Sequence, residues 1–165
     1  MHGMRHVPIK FWYDLRESPD FVGNVIRHKR DMLISEKHGG SDMNTMQIGR
    51  QLVDLCKQGK NIEALNTLFA DDAVSIEAVA PPGGQQEVKG LAAIRAKGEW
   101  WINNHEVHSA SVTGPWPHGD RFVVGFAYDV TNKPSGKRMK MDEVGLYSVR
   151  NGKIVREEFF YDMGM

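Results

Sequence analysis

Cysteine is almost absent from this chain: Cys56 is the only one, so no disulfide can close within it. Net charge is absent too, because 21 Lys and Arg balance 21 Asp and Glu. The two signs are interspersed, which leaves neither a basic stripe for nucleic acid nor a polybasic patch for a membrane surface. No apolar run approaches the roughly 20 residues that a bilayer span needs, and the N-terminus lacks the apolar segment of a signal peptide. The expected address is the cytoplasm. Missing as well are a glycine-rich phosphate loop, a nucleophile elbow and a zinc-ligand spacing, which argues against nucleotide, serine-hydrolase and zinc chemistry. A small molecule or a protein is left as the partner, with no nucleic acid and no membrane.

What is present suits one globular domain, since 165 residues at 41% hydrophobic content can bury a core without staples. Residues 1–42 differ from the rest, with four scattered histidines, an aromatic patch at Phe11-Trp12-Tyr13 and a helix start at Ser18-Pro19-Asp20. They read as a partly helical or flexible extension ending at His38-Gly39-Gly40-Ser41, or as an upstream start with the natural beginning at Met43 or Met46. The domain proper is expected over residues 43–165. Its histidine-poor remainder and those scattered histidines offer no metal set, and none is expected.

From Asn44 an apolar face of Ile48, Leu52, Val53, Leu55 and Cys56 predicts an amphipathic helix that stops near Gly59. Cys56 reads there as a small core hydrophobe. Asn61 is the expected N-cap of a second helix carrying Ile62, Leu65, Leu68 and Phe69 inward. Phe69-Ala70-Asp71-Asp72-Ala73 then turns the chain into a strand over Val74 to Val79, which Pro81-Pro82-Gly83-Gly84 ends. A third helix runs from Gly90 to Asn103-Asn104, with Leu91, Ile94, Trp101 and Ile102 toward one side. The remainder alternates as strands: His105 to Thr113, Arg121 to Val130, and a long hairpin from Met139 to Tyr161 about Asn151-Gly152, a dipeptide suited to the positive φ of a type I′ turn. Helices first and an antiparallel meander last make an α+β fold. A curved antiparallel sheet wraps around the N-terminal helices as a cone with an internal pocket.

Four stretches carry a resemblance: Asn61-Ile62-Glu63-Ala64-Leu65, Leu68-Phe69-Ala70-Asp71-Asp72-Ala73, Gly90-x-x-Ala93-Ile94 and Gly152-Lys153-Ile154-Val155. With the order of elements, they resemble the SnoaL-like polyketide cyclase and ketosteroid isomerase superfamily, whose fold is cystatin-like and shared with nuclear transport factor two. The resemblance covers about residues 44–162. It implies a cofactor-independent isomerase, cyclase or hydratase/hydrolase acting on a small apolar cyclic or polyketide-like molecule, and a homodimer. A noncatalytic small-ligand-binding or dimeric interaction module on the same fold is the alternative. Glu77 stands where the isomerases of that group carry an aspartate base. The tyrosine and protonated aspartate that those enzymes use for an enolate are not matched, since Val53 and either Gly145 or Leu146 occupy the corresponding places.

Glu77 lies in the small, apolar run Val74-Ser75-Ile76-Glu77-Ala78-Val79, where desolvation lifts a carboxylate toward neutrality and makes it a general base. His108 shares a strand face with Ala110 and Val112 by alternation, and is the expected acid or oxyanion donor. If Arg150 pairs with Lys153, strict alternation places Asp142, Val144, Leu146 and Ser148 on one face with Val155, Glu157, Phe159 and Tyr161. Asp142 and Glu157 are then the other catalytic candidates, with Tyr161 across from Asp142. Trp100, Trp101, Phe126, Tyr128, Phe159 and Tyr161 are the expected walls of a site for a flat ligand, without a cofactor. Two adjacent tryptophans cannot both face inward on one helix.

Overall fold

A computed structural model describes residues 43–80 and 83–161. The extension expected over 1–42, with its helix start at Ser18-Pro19-Asp20, lies outside the described residues. Helix α1 (Thr45–Lys57) opens with a capping box, in which the Asn44 side chain accepts from the Gln47 amide and the Gln47 side chain accepts from the Asn44 amide, both at 2.9 Å. Two donors that a helix start leaves open are thereby satisfied. Its apolar stripe buries Ile48, Leu52, Val53 and Leu55. Helix α2 (Asn61–Leu68) follows after Gly59, and here the expectation changes: Lys60, not Asn61, is the N-cap, and the Asn61 Oδ1 atom is buried with no partner among the described residues.

Strand β1 (Phe69–Ile76) begins five residues earlier than its apolar run indicates, because Phe69 already pairs with the last strand ahead of an irregular stretch that leaves Asp71 and Asp72 exposed. A short strand β2 (Glu87–Lys89), too brief to show any periodicity, lies antiparallel to it. Gly90, at φ +87°, then starts helix α3 (Leu91–Asn104), which buries Ile94 and leaves Ile102 exposed, against expectation. Strand β3 (His105–His118) passes through the Gly114-Pro115 connection rather than ending before it, and pairs throughout with β4 (Arg121–Asn132). Strands β5 (Lys137–Arg150) and β6 (Lys153–Tyr161) make the long hairpin, with Asn151 and Gly152 at φ +51° and +69° as a type I′ turn requires.

The strands form one curved, unclosed sheet in the order β2-β1-β6-β5-β4-β3, antiparallel except for the parallel pair β1 and β6. The core lies between its inner face and the helices. Ile48, Leu52 and Val53 of α1, Leu65 and Leu68 of α2 and Ile94 of α3 meet Val112, Phe122, Val124, Phe126, Tyr147 and Ile154 there. No helix among the described residues is long and apolar enough to cross a membrane.

A register shift in the hairpin changes which acids face inward. Arg150 does pair with Lys153 and Val149 with Ile154, but Ser148 then pairs with Arg156, so β6 carries one extra residue, Val155. Such a bulge moves every later side chain of that strand one place against its partner. Glu157, Phe159 and Tyr161 therefore sit opposite Tyr147, Gly145 and Glu143. Glu143, not Asp142, shares the inner face; Asp142 pairs with Ala127 and is exposed. A second shift, between Val107 and Ser109, leaves His108 unpaired on β3, exposed rather than turned inward, with its Nε2 atom 2.8 Å from the Thr131 hydroxyl.

Candidate functional site

The inner face at the β1 and β6 end of the sheet holds a polar cluster inside otherwise apolar surroundings. Ser75 and Glu77 follow Ala73 at two-residue spacing along β1 and just beyond it, and Ser75 is fully buried. The adjacent β6 supplies Glu157, only 5% exposed, from the position paired with Ser75. Helix α3 lowers Lys97 onto this pair from above. Lys97 stands one turn after the buried Ile94 and one turn before Trp101, on the same helical stripe.

The Lys97 ammonium donates to Glu77 Oε1 and to Ser75 Oγ, both at 2.5 Å, and lies 3.6 Å from Glu157 Oε1. Ser75 passes its own proton on, donating to Glu157 Oε1 at 2.6 Å. Tyr161 donates to the other oxygen of Glu77 at 3.0 Å, and Lys97 Nζ sits 5.0 Å from the centre of the Phe159 ring. Thus both Glu77 oxygens accept a hydrogen bond, and Lys97 donates two hydrogen bonds while pairing with Glu157 by charge alone. Lys97 and Glu77 each keep about a fifth of their side-chain surface in contact with solvent, at 24% and 19%. The cluster is therefore reachable from outside.

Glu143 completes the inner row Phe126, Glu143, Tyr161 across β4, β5 and β6. Among the described residues it has no hydrogen-bond partner and no ion pair, unlike Glu77 and Glu157. Burial raises its carboxyl to about 7, the charges of Glu77 and Glu157 push the same way, and Lys97 only partly opposes them. Glu157 is also raised by burial, against the pull of Lys97 and the Ser75 hydroxyl. Burial, followed by the charge of Glu77, lifts the Tyr161 phenol to about 12. The Cys56 thiol, pushed to about 12 by burial and by Glu157 and Glu143, stays protonated. Next to Glu143, Gly145 leaves the room that the Tyr147 ring fills, since a β-carbon there would lie 2.8 Å from that ring.

Of the residues singled out from sequence, Glu77, Glu157, Phe159 and Tyr161 are brought together here, with Phe126 across from Glu143. Phe126 is buried in the core, and Tyr128 stacks beside it at 6.2 Å between ring centres. Trp101 joins this edge, 5.4 Å from Tyr128 and stacked on His105 at 4.7 Å, whereas Trp100 is 53% exposed. His108 and Asp142 lie apart from the cluster. Lys97, Ser75 and Glu143 were not singled out. The helical stripe Ile94, Lys97, Trp101 and the alternation Ala73, Ser75, Glu77 carry a signal for the first two, while Glu143 depends on the Val155 bulge. Among the described residues no three His, Cys, Asp or Glu side chains are placed to hold a metal ion. A separate shallow depression of about 590 Å³, lined by Asn66, Asp71, Leu91, Arg95 and Glu99, contains no member of the cluster.

Residues 43–161 match the family model of the SnoaL-like domain. No curated protein matches the chain. Among solved structures, a Mesorhizobium loti protein named as a candidate SnoaL-like polyketide cyclase, with carbohydrate phosphatase in brackets, is 46% identical, with a TM-score of 0.68 over 72% of this chain and 100% of its own. A candidate isomerase from Bacillus subtilis is 18% identical, with a TM-score of 0.60 over 73% of this chain and 90% of its own. A candidate SnoaL-like polyketide cyclase from Jannaschia sp. CCS1 is 16% identical, at 0.59 over 76% and 92%. These last two share the fold. With its helices packed on one curved sheet and the family model spanning 43–161, the chain belongs to the SnoaL-like domain family.

Proposed function

We propose that this SnoaL-like protein is a cofactor-independent acid/base catalyst, an isomerase, cyclase or hydratase/hydrolase for a small apolar cyclic or polyketide-like molecule. The observation that carries this reading is Glu143, a half-buried carboxyl that titrates at about 7 beside the Glu77, Lys97 and Glu157 cluster. A general acid/base works best when its pKa lies near the working pH, so Glu143 can both take and return a proton. Glu77 accepts from Lys97 at one oxygen and from Tyr161 at the other, so both of its oxygens are engaged within the protein. In this proposal Glu77 anchors the cluster and the proton moves at Glu143. Phe126, Tyr128, Trp101 and Phe159 offer apolar ring surface for the ligand.

A noncatalytic ligand-binding module is favoured by one observation: Lys97, Ser75, Glu77 and Glu157 satisfy one another without a ligand. A homodimer is part of the proposal, through the outer face of the sheet. Titration with a planar phenol, followed through the fluorescence of Trp101, tests the acid/base site. Saturable quenching with a midpoint near pH 7, removed in Glu143→Gln, is expected. Binding indifferent both to pH and to Glu143 favours the module, and no binding at all rejects the site.

A further inference from the structure

The hydrogen bonds of the cluster leave one demand unmet, and that demand specifies a ligand. Lys97 is the cation of the group; it donates to Ser75 and Glu77 and lies 3.6 Å from Glu157. Its charge is already met by the Glu77 and Glu157 carboxylates, which leaves none over for an anion. Three carboxylates share the inner face with this one ammonium, and two of them, Glu77 and Glu157, hold donors from Lys97, Tyr161 and Ser75. The third, Glu143, holds none among the described residues. When Glu143 is ionised, the inner face therefore carries more negative than positive charge and has an acceptor without a donor. Glu143 is only partly buried and its carboxylate oxygens are open to solvent, so a ligand can reach them, and one that supplies a charged donor is favoured over one that does not.

The surroundings of Glu143 narrow the class further. Phe126 and Tyr161 lie directly across from it on the neighbouring strands, and Tyr128 and Phe159 are one inner-face position along. Diagonal neighbours on one sheet face are within reach of aromatic rings. The Phe159 ring already has the Lys97 ammonium 5.0 Å from its centre, so this face of the protein accommodates a cation over a π-system. Resting on the reading of the inner face as a ligand site, we propose that its ligand is a small organic amine bound as the ammonium, with Glu143 as counter-ion and the rings about it as walls. Carboxylates and phosphate esters are excluded, because they would meet Glu143 with no free cation to compensate.

The groups that face Glu143 bear on the pH dependence. They are Glu77 at the end of β1, Lys97 on α3, Glu157 and Tyr161 on β6, Tyr128 on β4, Tyr147 on β5 and Cys56 on α1. The tyrosines and the thiol stay neutral through the neutral range, since burial raises all of them. Ammonium binding is then expected to strengthen as pH rises through about 7, where Glu143 ionises.

Three probes of one shape decide the matter: benzylamine, benzyl alcohol and benzoate, titrated calorimetrically at pH 6 and pH 8 alongside a phenol. At pH 8 benzylammonium is expected to bind roughly tenfold or more tighter than benzyl alcohol, the scale of a charge-assisted hydrogen bond, and benzoate not to bind. Glu143→Gln removes the advantage, and Glu143→Asp, which keeps the charge, retains most of it. Equal binding of the amine and the alcohol, an amine preference that survives Glu143→Gln, or tight binding of benzoate overturns the amine assignment. If phenol still binds in that case, the ligand site itself stands. Failure of all four probes rejects both.

Discussion

At Glu143 burial acts on the charge more strongly than its neighbours offset it, and stability therefore depends on pH. Its carboxyl is raised from 4.5 to about 7 in the folded state, so across that interval the folded protein binds a proton that the unfolded chain releases. The contribution is present in full below about 4.5 and is lost as pH climbs through about 7. A displacement of that size corresponds to about 3 kcal/mol. Glu143→Gln keeps the shape and cannot ionise, so it is expected to be more stable than the parent at pH 8, with the gap closing toward pH 4. Urea unfolding of both proteins across this range checks it, and a gap independent of pH refutes the assignment. Sequence alone did not disclose this residue. Glu143 differs from its neighbour Asp142 only in which face of β5 it occupies, and that choice is made by pairing with another strand.

At the scale of elements, the contact between α1 and the sheet depends on a residue without a side chain. A β-carbon at Gly49 would lie 2.9 and 3.0 Å from the Pro115 ring and 3.2 Å from Phe122. Alanine in place of glycine strengthens a helix by about 1 kcal/mol. Overpacking a core costs about 1–3 kcal/mol, and a proline ring in a paired strand has little freedom to yield. The two effects oppose each other, and packing is expected to win: Gly49→Ala should lower stability by about 1–2 kcal/mol in urea unfolding. An unchanged or higher midpoint refutes the close approach. The helices themselves were legible, because Ile48, Leu52 and Val53, or Leu91, Ile94 and Trp101, repeat at helical spacing. The bulges at Val155 and His108 were not. One extra residue reverses the phase of a strand, and it is recorded only in the pairing.

Across the whole molecule, the outer face of the sheet is apolar where a lone domain would be polar. Trp116, Val123 and Leu146 form one cross-strand row, with Gly125, Val144 and Phe160 in the row beside it. Trp116, Val144 and Phe160 are 56%, 42% and 50% exposed. The proposed homodimer covers this face. Sedimentation equilibrium is expected to give twice the 18.6 kDa of one chain, and Trp116→Glu together with Phe160→Glu to give single chains that still melt cooperatively. A parent protein that sediments as a monomer rejects the dimer.

The amino-acid sequence by itself determined the kinds and order of the main elements, the Asn151-Gly152 turn, the α+β class and the family resemblance. Each of these follows from local periodicity, turn chemistry or short motifs. It also placed Glu77, Glu157 and Tyr161 among the candidates, because acids and a phenol stand out in apolar strands. Only the tertiary structure decided that Lys97 joins Ser75, Glu77 and Glu157, that Glu143 replaces Asp142 on the inner face, and that His108 lies outside. Those outcomes depend on strand pairing and on how α3 lies over β1 and β6, and on the burial that such long-range contacts create.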